Sequence, residues 1–219
     1  MSRKALIVWG GWDGHEPKQV ADIFSRVLKQ DGFEVEVAQT FEVFNDEAKV
    51  SALSLIVPVW TMGKVNNDHV QPVMKAVSEH GVGIAGCHGG MCDSFRENCD
   101  WQFMTGGQFV AHPGNDGTTY RVKVIKGASP ITDGIQDFDV CSEQYYMHTD
   151  PGNRTLATTE FPLAPGPHTP NGRFDMPVVW TRFHGKGRVF YNSLGHVANI
   201  VESEPCLTLM RRGFLWAAK

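Results

Sequence analysis

The chain of 219 residues lacks the features that mark several large classes of protein. It has no basic tract, and 20 Lys and Arg against 24 Asp and Glu give a formal charge of −4, which disfavours nucleic-acid binding. Its first apolar run, residues 5–9, is too short for a signal-peptide core. No run approaches the roughly 20 apolar residues of a membrane span. We therefore expect a cytoplasmic protein without nucleic-acid or membrane partners.

The number and spacing of the cysteines also disfavour two kinds of site. The five cysteines are an odd number and contain no CxxC pair, so a disulfide framework and a structural zinc site are both disfavoured. The composition of 42% apolar and 20% charged residues is that of a folded chain. No linker, repeat or low-complexity tract divides it, so we predict one domain over residues 1–219.

The first half of the chain alternates apolar runs with amphipathic segments. Such alternation predicts a parallel sheet with right-handed crossover helices. The predicted strands are residues 5–9, 33–38, 53–59 and 82–86, and the predicted helices run from Pro17 to the stop at Gly32 and over residues 68–79.

The second half favours shorter strands and turns. Residues 178–183 and 188–193 flank a Gly-containing turn and predict an antiparallel hairpin. Further strands are predicted at 119–125, 143–148 and 155–159, with a surface loop over 162–174 and a last helix opened by Glu204 and Pro205. In the strand predicted at 143–148, alternation places Glu143, Tyr145 and Met147 on one face and Gln144, Tyr146 and His148 on the other.

Polar residues follow several of these strands, where open α/β sheets bind their ligands. Asp13, His15 and Glu16 lie in a Gly-rich turn after the first strand, where capping of the next helix is the alternative role for the two acids. His88 follows the fourth strand within Cys87-His88-Gly89-Gly90. Further along, His112, Glu143, His148 and His196 fall in polar or Gly-rich turns.

Cys87 is a candidate nucleophile because a reactive residue between a strand and small residues is typical of a nucleophile elbow. Class I glutamine amidotransferases place a cysteine in this way and activate it with a late His-x-Glu. Here Ala198 stands two residues after His196, so the glutaminase set is incomplete. A small buried side chain is the alternative role for Cys87.

An ordered set of short motifs resembles the trehalose-utilisation, ThuA-like family. The set comprises Trp9-Gly10-Gly11-Trp12-Asp13-Gly14-His15-Glu16, Gly86-Cys87-His88-Gly89-Gly90, Thr105-Gly106-Gly107 with His112-Pro113, Glu143-Gln144-Tyr145-Tyr146, Leu194-Gly195-His196 and Gly213-Phe214-Leu215-Trp216-Ala217. The resemblance implies a three-layer, flavodoxin-like α/β domain of the class I glutamine amidotransferase-like type, with a mostly parallel sheet and an added antiparallel hairpin.

The resemblance also implies an enzyme of sugar metabolism that cleaves disaccharides or 3-keto-glycosides by metal-assisted elimination or hydrolysis. On this hypothesis the divalent metal is Zn, Mn, Fe or Ni. The catalytic residues would be His88, His15 and Glu143. The metal ligands would be His112, Glu143 and His196. The sugar would contact Trp12, Asp13, Trp60, Tyr145 and His148.

Two other interpretations stay open. The chain could be a non-catalytic module that binds a carbohydrate or a protein, or a cysteine hydrolase that uses Cys87. Trp12, Trp60 and Trp101 suit sugar faces, but core packing explains them equally well. The residues do not exclude a homo-oligomer.

Overall fold

A computed structural model describes residues 3–219 and shows a mixed α/β fold. Its strands are β1 (Arg3–Gly11), β2 (Phe33–Ala38), β3 (Leu55–Thr61), β4 (Gly83–Cys87), β5 (Gly107–Ala111), β6 (Thr118–Val124), β7 (Phe138–Ser142), β8 (Tyr146–Thr149), β9 (Arg154–Phe161), β10 (Phe174–His184) and β11 (Gly187–Asn192). Its helices are α1 (Pro17–Gln30), α2 (Glu47–Ala52), α3 (Asn67–Ser78), α4 (Gly89–Cys92), α5 (Cys99–Thr105), α6 (Ala198–Glu202) and α7 (Cys206–Ala217).

A nine-stranded sheet runs through the described chain in the order β2-β1-β3-β4-β11-β10-β9-β6-β7. Strands β2, β1, β3, β4 and β11 pair in parallel, whereas β10, β9, β6 and β7 extend the sheet antiparallel. β5 and β8 form a separate two-stranded sheet. The predicted flavodoxin-like α/β fold is confirmed, and its antiparallel part is larger than the single predicted hairpin.

Each face of the parallel strands is buried against helices. Along β1, Ala5 and Ile7 pack into one apolar cluster with α1 and α7, while Leu6 and Val8 pack into a second cluster with α2 and α3. Successive strand residues point to opposite faces, so a continuous apolar run is what a strand covered on both sides requires. The sheet is thus the middle of three layers.

Helix α1 follows the Gly-rich turn after β1. Pro17 stands at its first turn, where a missing backbone N–H costs nothing, and its buried stripe includes Val20, Phe24 and Leu28. Within residues 3–219, no helix is long and apolar enough to cross a membrane.

The prediction of a strand over residues 143–148 is wrong in its first half. β7 ends at Ser142 in the large sheet and β8 begins at Tyr146 in the small one, so residues 143–145 bridge two sheets. Glu143, Gln144 and Tyr145 are all buried. The amide of Gln144 donates to Thr159 Oγ1 and to the carbonyl of Glu160, so this polar residue is satisfied inside the protein.

Close packing of α7 on β11 yields a prediction about Gly213. A Cβ atom there would lie 2.3 Å from Cδ1 of the buried Phe190 ring. We expect Gly213→Ala to lower the free energy of unfolding by about 1–3 kcal/mol, because overpacking outweighs the better helix propensity of alanine. Urea unfolding measures the change. Gly117→Ala is the matched control, since a Cβ at Gly117 meets nothing within 4 Å; equal effects at both positions would contradict the packing argument.

Candidate active site

The site lies where strand order reverses in the sheet. β1 has β2 on one side and β3 on the other, and open α/β sheets bind ligands beyond such a switch point. The backbone after β1 passes very close to β3: a Cβ at Gly11 would lie 2.1 Å from the carbonyl oxygen of Thr61, so only glycine fits. A short 3-10 helix, Asp13–His15, then turns the chain so that His15 Nδ1 lies 2.8 Å from Thr61 Oγ1.

His88 follows β4 in a strained conformation, with φ 49° and ψ −135°. Positive φ is costly for a non-glycine residue and persists only where the surroundings enforce it. Three bonds do so here. The His88 N–H donates to the carbonyl of Asn192 at 2.7 Å, its Nδ1–H donates to the carbonyl of Ser193 at 2.7 Å, and its own carbonyl accepts from Tyr191 Oη at 3.0 Å.

Glu143 is the centre of the site. Four imidazole Nε2 atoms approach its carboxylate: those of His88 at 3.0 Å and His15 at 3.8 Å face Oε2, and those of His196 at 3.6 Å and His112 at 3.7 Å face Oε1. We call these five residues the histidine–glutamate cluster. They come from five segments that are far apart in sequence, so only the fold brings them together.

The bridge between β7 and β8 delivers Glu143 to the cluster. Its carbonyl accepts a hydrogen bond from Tyr120 Oη at 3.0 Å, which anchors the bridge to β6. Two residues later the Tyr145 ring stacks on the imidazole of His88, with centroids 3.8 Å apart. A hydrogen bond to the backbone and an aromatic contact therefore fix which side of the bridge faces the cluster.

Burial and the close imidazoles act in opposite directions on Glu143. Burial alone would raise its pKa, whereas hydrogen bonds from the imidazoles of His15 and His88, in the states that carry a proton on Nε2, hold the pKa of the carboxyl well below its usual range. Burial lowers the pKa of His88 to about 4, against the opposing effect of Glu143, and burial also lowers the pKa of His196. A carboxylate thus faces at least two imidazoles that are neutral at pH 7.

This protonation pattern leaves lone pairs pointing at one another. The carbonyl of Ser193 can only accept, so the single proton of neutral His88 is on Nδ1 and its Nε2 lone pair faces Glu143 Oε2 at 3.0 Å. His15 Nε2 is buried and has no hydrogen-bond partner among the described residues. One ligand atom each from His15, His88 and Glu143 lies within 4.8 Å of the others. Two imidazoles and a carboxylate converging in this way form a donor set that fits a divalent cation.

The structure brings together most of the residues that the sequence singled out. His15, His88, His112, Glu143 and His196 form the cluster, and Tyr145 stacks against it. Trp12 lies at the edge, half-exposed, with its ring 4.8 Å from that of His15.

Other predicted residues lie outside the cluster. His148 is exposed on β8, opposite Gln108, and Asp13 is exposed in the 3-10 helix. Trp60 packs against Phe41 and beneath Gly10.

Two more of the residues singled out have structural roles. Trp101 is buried in the core and donates from its indole N–H to the carbonyl of Met91. Glu16 accepts a hydrogen bond from the backbone N–H of Ala198 at the start of α6. Within residues 3–219, neither side chain forms a hydrogen bond or an ion pair with the cluster.

The placement of Cys87 at the elbow is corrected. The strained residue between β4 and α4 is His88, and Cys87 is one position earlier, still within the strand and buried. Burial raises the pKa of the Cys87 thiol well above its usual value. The position that projects a nucleophile from such a turn is occupied here by an imidazole.

Two contributors to the site were missed in the sequence. Thr61 ends β3 and bonds His15, so the same strand-end argument that selected His15 also applies to it. The Ser193 carbonyl orients His88, and a backbone acceptor leaves no signal in the residue type.

The sequence profile of the ThuA family, described as trehalose utilisation, matches residues 4–217. The chain belongs to the ThuA family. None of the curated proteins compared with the chain matches it.

Solved structures show the same fold at low sequence identity. A ThuA-like protein of Parabacteroides merdae is 17% identical with a TM-score of 0.75, covering 100% of this chain and 91% of its own. A ThuA-like protein of Bacteroides uniformis is 19% identical with a TM-score of 0.75, covering 98% and 91%. A glutamine amidotransferase of Thermotoga maritima is 9% identical with a TM-score of 0.54, covering 88% and 75%.

The reactivity of the five thiols tests whether Cys87 is buried beside the strained turn at His88. We expect iodoacetamide to modify the exposed Cys99 and Cys141 in the native protein. Cys87, Cys92 and Cys206 should stay unmodified until the chain unfolds, because burial both covers these thiols and raises their pKa. Peptide mass spectrometry after a short exposure reads all five positions. Fast modification of Cys87 in the folded protein would restore it as a candidate nucleophile.

Proposed function

We propose that this ThuA-family chain is an enzyme that cleaves 3-keto-glycosides by acid–base elimination at the histidine–glutamate cluster. The observation that carries the proposal is the buried carboxylate of Glu143 with four imidazole Nε2 atoms within 3.8 Å. A polar cluster of this kind is costly to bury for stability alone, and perturbed titratable groups of this density are typical of functional sites. The family description, trehalose utilisation, supports a glycoside as the substrate class.

The chemistry starts from the acidity that a ketone at C3 gives to the hydrogen on C2. A neutral imidazole removes that proton, the C1–O bond breaks, and a C1=C2 double bond forms. The same imidazole then donates the proton to the departing glycosidic oxygen, so the leaving sugar or alcohol departs with its hydroxyl group complete. Addition of water across the double bond regenerates a 3-keto sugar, and the sum of the steps is hydrolysis.

His196 suits the role of base because burial lowers its pKa, which leaves it neutral at pH 7. Its Nε2 lies 3.6 Å from Glu143 Oε1, so the carboxylate stabilises the imidazolium that forms when the proton arrives. His112 is the most exposed of the four imidazoles, with 35% of its side chain accessible, and its Nε2 lies 3.7 Å from the same oxygen. We assign His112 to the substrate-facing side of the cluster.

The convergent lone pairs of His15, His88 and Glu143 make these three residues the proposed ligands of a divalent metal. This assignment differs from the set suggested by the sequence, in which His112 and His196 accompanied Glu143. A bound cation supplies Lewis acidity toward the ketone oxygen of the substrate. Hydrogen bonds from Nδ1 of His88 to Ser193 and between His15 and Thr61 hold both rings in the orientation that metal ligands commonly have.

Glu143→Gln tests the catalytic centre. The variant keeps the shape of the side chain but loses its charge, so the imidazolium of His196 loses its stabilising partner. We expect kcat/KM to fall by about 10²–10⁴ with p-nitrophenyl 3-keto-glucoside as substrate, measured by release of nitrophenol.

His148→Asn is the matched control, since His148 is exposed outside the cluster and should keep full activity. Circular dichroism confirms that both variants fold. Equal activity of the two variants would contradict the proposal. Absence of turnover in the parent protein would favour a binding module.

Metal content is a second test. We expect about one equivalent of a transition metal by elemental analysis of the parent protein, and a much lower content in His15→Asn, because that change removes one of three ligands. Adding Zn, Mn, Fe or Ni to chelator-treated protein should raise the melting temperature of the parent but not of His15→Asn, since a cation bound only to the folded state stabilises it. His80→Asn, at a position outside the cluster, serves as the control. Equal metal content in all three proteins would remove the assigned ligand set.

A further inference from the structure

A buried ion pair outside the cluster has no part in the proposed chemistry. Asp93 is 2% exposed, and its carboxylate accepts two hydrogen bonds from Arg96, from Nε at 2.5 Å and from Nη2 at 2.9 Å. The Arg96 side chain itself is half-exposed. The bidentate pair uses one edge of the planar guanidinium, and in residues 3–219 no hydrogen bond uses Nη1 on the other edge.

Strained backbone holds this pair in place. Met62 and Phe95 are non-glycine residues with φ of 61° and 52°. The N–H of Met62 donates to the carbonyl of Asp93 at 2.8 Å, and the N–H of Phe95 donates to the carbonyl of Met62 at 3.2 Å. Strain of this kind concentrates at ligand clamps and active sites. These strained residues therefore fix the position of an exposed guanidinium.

An aromatic contact links Arg96 to the cluster. Its Cζ lies 5.5 Å from the ring centroid of Phe109, and that ring lies 4.5 Å from Tyr145 and 5.5 Å from His112. The N–H groups of Nη1 lie in the plane of the guanidinium. Phe109 lies next to both Arg96 and His112, so a ring held at Glu143 leaves Arg96 to the next ring of the substrate.

We infer that Arg96 is a substrate-binding residue that donates hydrogen bonds from Nη1 to hydroxyl groups of the leaving-group sugar. This inference rests on the proposed function. The charge of Arg96 is compensated by Asp93, and the nearby cluster contains Glu143, so the position offers donors without excess positive charge. Such donors can bind neutral hydroxyl groups. Asp93 is a positioning residue that acts through Arg96.

Two substrates separate the leaving-group position from the reacting ring. In 3-keto-trehalose the leaving group is glucose, whereas in methyl 3-keto-α-glucoside it is methanol. We expect Arg96→Gln to raise KM for 3-keto-trehalose about tenfold, with kcat within about twofold, because a hydrogen bond from a charged donor is lost. KM for the methyl glycoside should stay unchanged. Arg121→Gln is the matched control, since Arg121 is similarly exposed and pairs with Asp139 at the outer edge of the sheet.

A double-mutant cycle tests the role of Asp93. Asp93→Asn should raise KM for 3-keto-trehalose as Arg96→Gln does, and the double variant should be no worse than either single one, because both changes remove the same contact. Arg96→Lys, which keeps the charge but loses the planar fork, should resemble Arg96→Gln. Unchanged KM in Arg96→Gln, or equal losses with both substrates, would overturn the inference.

Binding without turnover distinguishes failure of this inference from failure of the proposed function. Titration calorimetry with trehalose, which lacks the ketone, measures binding in the parent, Arg96→Gln and Arg121→Gln proteins. A tenfold weaker Kd in Arg96→Gln alone supports the inference even if no 3-keto-glycoside is cleaved. Equal affinity in all three proteins, or no detectable binding to the parent, would overturn it while leaving the chemistry at Glu143 to its own test.

Discussion

The buried carboxylate of Glu143 determines how the rest of the site is arranged. A charge removed from water needs partners, and its partners here are four imidazoles that the fold delivers from separate loops. All four imidazoles meet at this one carboxylate, so the cluster is connected through Glu143, while His15 and His88 are also held by Thr61 and Ser193.

The backbone around the cluster is built to allow this close approach. Gly11 passes against the carbonyl of Thr61, and a Cβ at Gly89 would lie 2.7 Å from the His15 ring. A side chain at Gly11 would clash with the β3 backbone, and one at Gly89 would push the His15 imidazole away. At His88 the reverse applies: a non-glycine residue accepts positive φ, and hydrogen bonds to Asn192 and Ser193 hold it there. The glycines leave room for the close approach, and the hydrogen bonds of His88 fix the direction of its side chain.

Strands and helices were largely predictable because their signals are local. The apolar runs of β1 and β3 and the amphipathic pattern of α1 each lie within one window of sequence. The cluster could be predicted as a group, since strand ends in a parallel sheet meet at one edge. The roles proposed for its members, as metal ligands or as acid and base, could not be predicted. The orientation of His88 depends on the Ser193 carbonyl, and that of His15 depends on Thr61. The break after Ser142 was missed because residues 143–148 alternate in hydropathy as a strand does, while the chain changes sheets.

The turn after β4 decides which side chain this fold presents at the edge of the sheet. A strained strand-to-helix turn projects whichever side chain occupies it toward the sheet edge, whether that side chain is a thiol or an imidazole. With His88 in that position and Cys87 within the strand, the projected group is an imidazole, which by its chemistry is a proton acceptor and a metal ligand, instead of a thiol. Glu143 is the charged partner of the projected imidazole here, since its Oε2 lies 3.0 Å from His88 Nε2. The fold thus keeps the strained turn that projects a side chain, and the residue at that turn decides which class of reaction the site can support.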